Sequence, residues 1–303
     1  MDTSALINGG LSFAAVLFLM AINIPIGVSM LIVGFLGFAL ISGIDPAIVI
    51  LGSAPFEAVS KYTLSVMPLF VLMGNLANSA NLSRNLYDAA YSVVGHYKGG
   101  LAMSTVGACA GFGMICGSSI ATAATMAQMA GPEMKRHGYS DALISGSIAS
   151  GGTLGIIIPP SVILVIYAYL TEQSVQELFF AALIPGLIAV ILYMIAIRVY
   201  LIVYPSQGGY GKKMPLKERI SAISKVFPIF LIFVIIMGGL YLGFFTATES
   251  AAVGVILVLI FIFARGQLTL NLLKEALWTT IKTVGSLYLI VIGASIFNYL
   301  ITV

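Results

Sequence analysis

Two short segments of the sequence contain residue types that bind a cation through neutral oxygen atoms. The segment GSSIAT, residues 117–122, contains the hydroxyls of Ser118, Ser119 and Thr122. The segment GIIIPPS, residues 155–161, contains two successive prolines. Proline has no N–H and pushes the preceding residue out of helical geometry, so a helix broken here has carbonyl oxygens without intrahelical donors. Hydroxyl and carbonyl oxygens suit hard cations, and we expect the two segments to face each other.

The composition predicts that these segments lie in a membrane protein. Of the 303 residues, 60% are hydrophobic and 8% are charged, and the mean hydropathy is +1.08, which is outside the range of soluble globular domains. The N-terminal residues show no basic region or cleavage signature, so we expect the first apolar run to be retained. Most apolar runs are long enough to cross about 30 Å of hydrocarbon. We predict an all-α polytopic membrane protein with eight spans at 5–24, 26–43, 62–80, 141–170, 178–203, 226–245, 248–264 and 281–302.

The basic residues predict how the chain is oriented. Short cytoplasmic loops retain Lys and Arg. If the N-terminus lies outside, thirteen of the fourteen Lys and Arg residues fall on the cytoplasmic side and only Lys61 falls outside. The loop TEQSVQE, residues 171–177, lies outside in this topology and is acidic. The net charge of +3 therefore reports membrane topology, and no basic patch with interleaved aromatic residues points to a nucleic-acid partner.

Residues 99–135 form an unusual segment that is rich in Gly, Ala, Ser, Thr and Met and has basic residues at both ends. Both ends then lie in the cytoplasm, and each half is short for a full crossing. We therefore predict a re-entrant hairpin with its tip at Cys116–Thr122. The alternative is a pair of short spanning helices with a tight outer turn, packed through small residues such as Gly107 and Gly111.

The hairpin tip and the proline-broken helix together predict a binding site. Unpaired backbone groups inside a membrane are tolerated only where protein, water or an ion satisfies them. Glycines before the prolines allow close backbone approach. An ordinary packing kink is the alternative interpretation of the prolines. We predict sodium ligands at Ser118, Ser119, Thr122, Gly152, Thr153, Gly155 and Pro159, and substrate contacts at Ser119, Ile158, Pro160 and Ser161.

The surroundings of this site favour sodium over a proton as the bound cation. No Asp, Glu, His, Lys or Arg occurs between Gly99 and Ala130 or between Ala142 and Leu170. A proton needs a titratable carrier, whereas sodium needs only neutral oxygens, and an anionic substrate can contact the positive ends of half-helices. The sequence contains no Cys/His metal spacing, nucleotide-binding loop or nucleophile motif, so we expect no enzymatic activity.

The order of spans is similar in two parts of the chain. The first part begins outside and the second begins inside, which is the relation found in inverted-repeat transporters. A tandem of unrelated helices is the alternative. We predict a first repeat at 1–203, with a cytoplasmic arm helix at 83–98, the hairpin at 99–135 and the broken helix at 141–170, then a linker at 204–225 and the first part of a second repeat at 226–303.

Three segments resemble a known family. They are GSSIATAATMAQMAGPEMKRHGY from Gly117, GGTLGIIIPPSVILVIYAYLTEQSVQELFFAALIPG from Gly151 and GGLYLGFFTATESAAVGV from Gly238. In this order and spacing they are similar to the large, DctM-like membrane subunit of TRAP (tripartite ATP-independent periplasmic) transporters. The resemblance implies an elevator-type secondary transporter of the bacterial inner membrane, with its N-terminus in the periplasm.

The same resemblance implies a coupling ion, a substrate class and partners. Sodium flow would drive the import of an organic acid, such as a C4-dicarboxylate or a sugar acid like sialic acid, and the hairpin and broken helix would bind both. A small four-helix membrane subunit would brace the scaffold in the lipid bilayer. A periplasmic substrate-binding protein would deliver the substrate.

Members of that family continue past the equivalent of Val303 into a second hairpin and a second proline-broken helix. We therefore expect half of the transport site to lie outside this sequence, and a truncated chain, an interrupted gene product and a split subunit all stay open. The alternative function is an accessory membrane subunit without transport activity of its own. A channel is the third possibility, and saturable sodium-dependent uptake separates a transporter from both.

Overall fold

A computed structural model describes residues 3–80 and 82–302, with side chains described from residue 8 onward. The described residues are helical apart from turns and loops, no β-strand lies among them, and the predicted all-α class is confirmed. The helices are α1 (Thr3–Ala21), α2 (Ile26–Ser42), α3 (Ile44–Ser60), α4 (Val66–Ser79), α5 (Leu82–Val94), α6 (Gly100–Cys116), α7 (Ser119–Arg136), α8 (Asp141–Ile157), α9 (Val162–Leu170), α10 (Val175–Val203), α11 (Leu216–Ser224), α12 (Phe227–Tyr241), α13 (Ala247–Ala264) and α14 (Leu270–Thr302).

Most apolar helices coincide with predicted membrane spans, whereas α3 lies between the predicted spans at 26–43 and 62–80. Within the described residues, four helical stretches are long and apolar enough to cross a membrane: α10, α11 together with α12, α13 and α14. Two bent pairs raise this number to six, namely α3 with the following Tyr62–Ser79, and α8 with α9. The two other predicted spans are α1 and α2, which are apolar but shorter. The chain is therefore a multi-pass membrane protein, and the number of crossings stays a prediction.

The chain forms two compact units. The first consists of Met1–Ser65 with Ile281–Val303. In this unit α2 packs directly on the C-terminal part of α14, because a Cβ placed on Gly27 would lie only 2.6 Å from the carbonyl oxygen of Leu289. Glycine allows this backbone contact, which any side chain would prevent. Apolar side chains form the core beside it: Val16, Phe38, Ala47, Phe297 and Leu300.

The second unit, Val66–Thr280, contains both predicted binding segments. Helix α6 lies at its centre and packs against α4, α5, α7, α8 and α10. Most residues of α6 are buried, and many of them are Gly, Ala, Ser or Cys, which let neighbouring helices approach from several sides. Helix α4 packs on α13, and the amide nitrogen of Asn75 donates to Thr280 Oγ1 at 2.9 Å.

The two parts of the chain that have a similar order of predicted spans differ in local structure. In the first part, α3 ends at an extended Lys61, and a 3₁₀ turn at Tyr62–Ser65 precedes α4. In the second part, α14 continues from Leu270 to Thr302 without a break. The first part has Pro55 inside α3, whereas α14 contains no proline. The inverted-repeat division itself stays a prediction.

Hydrogen bonds hold the polar stretch that was predicted as a linker at 204–225. Backbone N–H groups and one phenol connect it to two loops and to helix α5. The bonds are Ser140 N–H to the Gln207 carbonyl at 3.0 Å, Gly99 N–H to the Gly209 carbonyl at 3.2 Å, Gly211 N–H to the Gly95 carbonyl at 3.0 Å, and Lys212 N–H to Tyr91 Oη at 2.9 Å. Tyr139 Oη also donates to the Gly209 carbonyl at 3.1 Å. Burial raises the pKa of Tyr139 to about 12, so the phenol retains the proton that it donates.

Candidate ion and substrate site

The turn between α6 and α7 lies directly against the break between α8 and α9. At this turn Gly117 has a left-handed backbone, with φ +61°. A Cβ placed on Gly117 would lie 2.9 Å from the carbonyl oxygen of Pro160 and 3.4 Å from the backbone nitrogen of Val162. Only glycine combines this conformation with this contact without strain. The tip and the break, which the sequence predicted to face each other, are in contact.

The glycine face of α8 continues this contact along the first turn of α7. A Cβ on Gly155 would lie 2.8 Å from both the Ser118 carbonyl oxygen and Thr122 Oγ1. A Cβ on Gly152 would lie 2.7 Å from the Cβ of Ala123. Backbone and hydroxyl oxygens therefore lie next to the backbone of α8, with no room for an intervening side chain.

The break between α8 and α9 leaves specific carbonyl groups without helical partners. The two helix axes differ by 50°. In a helix, the carbonyls of Gly155 and Ile156 would accept from the N–H groups four residues later, but positions 159 and 160 are prolines and have none. The Pro159–Pro160 peptide bond is cis. Two carbonyl oxygens are therefore available to another ligand through the covalent chemistry of proline.

Both helices that start at this contact have a serine N-cap. Ser118 (φ −132°, ψ 122°) caps α7, and Ser161 (φ −129°, ψ 126°) caps α9. Their side-chain oxygens accept from the N–H groups of Ala121 and Leu164, each at 3.4 Å. A helix N-terminus has a partial positive charge. The contact therefore brings together two helix ends that attract an anionic group.

The Thr122 hydroxyl at the contact donates a hydrogen bond, so its oxygen lone pairs remain free to bind a cation. Thr122 is fully buried, and its Oγ1 donates to the Ser118 carbonyl at 2.7 Å. A hydroxyl that donates its proton still has oxygen lone pairs for a cation. The oxygen atoms at this contact are all uncharged hydroxyl or carbonyl oxygens. Among the described residues, no group of three or more His, Cys, Asp or Glu is placed to hold a metal ion.

One predicted sodium ligand lies apart from the others. Thr153 is exposed, and its Oγ1 lies 3.1 Å from Tyr193 Oη of α10 and 2.7 Å from the Ser150 carbonyl. It is adjacent in sequence to Gly152, but one residue rotates the side chain by about 100° around a helix. The predicted residues along the two breaks are Ser118, Ser119, Thr122, Gly152, Gly155, Ile158, Pro159, Pro160 and Ser161.

Three further glycines that the sequence analysis did not assign brace the site. Each allows a backbone or side chain of the site to approach a neighbouring helix closely. The distances from a Cβ placed on each are 2.8 Å from Gly74 of α4 to the Cα of Cys116, 2.8 Å from Gly113 of α6 to the Cα of Gly155, and 2.8 Å from Gly186 of α10 to Cγ1 of Ile158. Their sequence signal is a glycine inside an apolar helix, which marks close packing but names no partner.

Known proteins are similar to this chain over nearly its whole length. The family described as "Tripartite ATP-independent periplasmic transporter, DctM component" matches residues 13–303. The C4-dicarboxylate TRAP transporter large permease protein DctM of Pseudomonas aeruginosa is 36% identical over 248 residues, which cover 82% of this chain and 58% of that protein. DctM of Rhodobacter capsulatus is 31% identical over 316 residues, covering 98% of this chain and 69% of the relative.

A relative named for a different substrate is also similar. The sialic acid TRAP transporter large permease protein SiaM of Vibrio cholerae is 32% identical over 282 residues, covering 92% of this chain and 65% of that protein. The matched part of this chain thus spans 58% of the Pseudomonas relative's length. All of these relatives are named as transporter permeases and none as an enzyme.

Proposed function

Because the chain belongs to the DctM family of TRAP transporters, a family of membrane permeases and not of enzymes, we propose that it couples sodium entry to the import of an organic acid. The observation that supports this proposal best is the contact between Gly117 and the carbonyl of Pro160. It joins a helix turn and a helix break whose oxygens are neutral, in segments without an Asp, Glu, His, Lys or Arg side chain.

The oxygen donors around the contact support sodium as the coupling ion. The carbonyls of Gly155 and Ile156 have no helical donor, and the Ser118 carbonyl oxygen and the Thr122 hydroxyl lie against the Cα of Gly155. Sodium is bound through such oxygens, as in other transporters that use broken helices at the membrane midplane. A proton would need a titratable group at this position.

The helix ends support an anionic substrate. The N-termini of α7 and α9 begin at the contact, and their partial positive charges favour a carboxylate over a neutral group. Two of the similar permeases are named for C4-dicarboxylates and for sialic acid, which are acids. The proposed substrate class is therefore an organic acid that contacts Ser119, Ile158, Pro160 and Ser161.

The transport cycle and the partners complete the proposal. The body that contains α6 to α9 moves as an elevator across the bacterial inner membrane, with the N-terminus of the chain in the periplasm. A small four-helix membrane subunit braces the scaffold, and a periplasmic binding protein delivers the acid. The tripartite architecture in the family's name supports both partners.

Uptake measured in the complete tripartite system tests the sodium site. Replacing Ser118 and Ser119 together by alanine removes two hydroxyls, and we expect about a tenfold rise in the sodium concentration for half-maximal uptake, which corresponds to about 1.4 kcal/mol. Ser145→Ala is the matched control, because this exposed serine of α8 bonds only to carbonyls of its own helix. Its sodium dependence should equal that of the parent.

Three outcomes would contradict the proposal. Unchanged sodium dependence in the double variant, with normal protein in the membrane, would remove these serines from the site. Uptake by the parent that follows a proton gradient and ignores sodium would exclude sodium coupling. Absence of saturable uptake by the parent in the complete system would favour an accessory subunit.

Cysteine labelling tests the proposed orientation. Lys213→Cys and Gln173→Cys place thiols at exposed loop positions, and the native Cys109 and Cys116 are buried and give little background. In intact cells an impermeant reagent should label position 173 and leave position 213 unmodified until the membrane is opened. The reverse pattern would invert the topology.

A further inference from the structure

A small cavity of about 250 Å³ lies at the C-terminal end of α10, away from the helix breaks. Its polar lining consists of His96, Lys98 and Arg198, together with two tyrosines, Tyr97 and Tyr210. In the proposed orientation this end of α10 is cytoplasmic. The cavity thus joins the α5–α6 turn, the end of a membrane-spanning helix and the polar stretch after it.

Backbone bonds hold the basic groups of this cavity in place. An isolated antiparallel bridge pairs Lys98 with Tyr210, and Gly99 N–H donates to the Gly209 carbonyl at 3.2 Å. The guanidinium of Arg198 approaches the Lys98 carbonyl at 3.5 Å. A guanidinium has five N–H donors, and this contact uses one of them. Most of the donors of Arg198 therefore stay available to a ligand.

The charge of this cavity is not compensated by its own lining. No carboxylate lines it among the described residues. A larger cavity of about 470 Å³ between α5 and α7 differs in this respect, because its arginines lie with Asp88 and Glu133. There the guanidinium of Arg136 lies 3.6 Å from the carboxylate of Glu133. Of these two cavities, the smaller is the one with a net positive lining.

The exposed face of α10 beside the cavity is aliphatic and could contact an apolar part of the same ligand. Ile195, Val199 and Ile202 are 51%, 52% and 70% exposed and share one face of the helix, since they are spaced by four and three residues. This aliphatic stripe ends at Ile202, which lines the cavity. Exposed Tyr97 and Tyr210 flank it, as aromatic residues do at a membrane–water interface.

We propose that this cavity binds the phosphodiester headgroup of an anionic phospholipid, with an acyl chain along the Ile195–Ile202 stripe. Lys98 and Arg198 pair with the phosphate, and His96 lines the same cavity. Basic pockets beside membrane helices bind acidic lipid headgroups in this way. The continuous aliphatic stripe favours a lipid over a free phosphate ester, which has no chain to occupy it.

Lipid titration of the purified full chain in detergent, followed by native mass spectrometry, tests this site. Phosphatidylglycerol should bind more tightly than zwitterionic phosphatidylcholine. Replacing Lys98 and Arg198 together by glutamine should weaken phosphatidylglycerol binding about 25-fold, because each interfacial basic residue contributes about fivefold. Lys212→Gln with Lys213→Gln removes the same charge from exposed positions outside the cavity, and should leave the binding unchanged.

A second variant and a soluble probe keep the result decisive. If the double variant does not fold, Lys98→Gln alone retains the carbonyl that Arg198 contacts, and should weaken binding about fivefold. Glycerol 1-phosphate should displace the lipid only at far higher concentration than phosphatidylglycerol. The proposal would be overturned if glycerol 1-phosphate bound as tightly as phosphatidylglycerol. It would also be overturned if the Lys212/Lys213 variant lost as much lipid affinity as the cavity variants, or if both cavity variants bound the lipid as the parent does. No transport is measured, so the outcome is independent of sodium coupling.

Discussion

The turn after α6 and the break after α8 end their helices by different chemistry but start the next helix in the same way. At the turn, Gly117 adopts a left-handed conformation and its N–H donates to the Gly113 carbonyl at 3.0 Å. At the break, two prolines remove the N–H groups that would continue the helix. Both then lead into a serine N-cap with nearly the same backbone angles.

The Gly117 turn and the Pro159–Pro160 break therefore contribute different things to the same contact. Glycine at the turn permits the backbone contact with Pro160, which no other residue type allows. The prolines leave carbonyls without donors, which glycine does not do. Substitutions on the two sides should therefore separate the packing of the site from its ligands.

Gly117→Ala should have the largest effect on stability. An alanine here costs about 1–2 kcal/mol for the left-handed backbone and about 1–3 kcal/mol for the contact with the Pro160 carbonyl. Gly138→Ala is the matched control, because Gly138 has φ +73° and nothing lies within 4 Å of its Cβ position. Thermal unfolding of both purified variants should show the greater loss for Gly117→Ala. Equal losses would mean that the contact contributes nothing.

Gly155→Ala tests the other side of the contact without changing backbone strain. Its Cβ would meet the Ser118 carbonyl oxygen at 2.8 Å, so we expect a loss of about 1–3 kcal/mol and lower uptake. Gly146 lies in the same helix with nothing within 4 Å, and Gly146→Ala should stabilise the protein by about 0.5–1 kcal/mol through helix propensity. Parallel melting curves compare the two, and destabilisation of both would contradict the assignment.

Ser118→Ala and Ser161→Ala should cost the same stability but affect different transport parameters. Each removes an N-cap, which is worth about 1 kcal/mol. We expect Ser118→Ala to raise the sodium requirement and Ser161→Ala to raise the substrate KM. Ser140→Ala removes the cap of α8, where Leu143 N–H donates to Ser140 Oγ at 3.2 Å, and should leave both parameters unchanged. If Ser118→Ala and Ser161→Ala change the sodium requirement and the substrate KM in the same way, the two serines do not have separate roles.

Replacing Pro159 and Pro160 together by alanine should change stability least, by about 1 kcal/mol or less, because regained backbone hydrogen bonds offset the greater freedom of the unfolded chain. Uptake should nevertheless fall, since the helix would recapture the carbonyls of Gly155 and Ile156. Pro185→Ala, inside α10, is the control and should retain sodium dependence. Lower melting temperature with unaltered sodium dependence in the double variant would make the prolines an ordinary packing kink.

The sequence alone located most of the helices and both interruptions, because these depend on covalent chemistry and on local patterns, but it did not predict α3 or α11. Runs of apolar residues predicted the membrane helices, and the missing N–H groups of Pro159 and Pro160 predicted the break between α8 and α9. The turn between α6 and α7 lies within the tip that was predicted at Cys116–Thr122. All of these signals extend over a few residues or a few helical turns.

Only the tertiary structure decided which surfaces meet. Contact between Gly117 and Pro160 joins residues from helices that are separate in sequence, and one rotation step along α8 directs Thr153 toward Tyr193 and away from the contact. Composition likewise predicted a linker at 204–225, whereas hydrogen bonds from two other loops and from helix α5 hold part of it in place. A single sequence records that a residue is small or polar but not which distant group lies opposite it, because that choice depends on the packing of all the helices together.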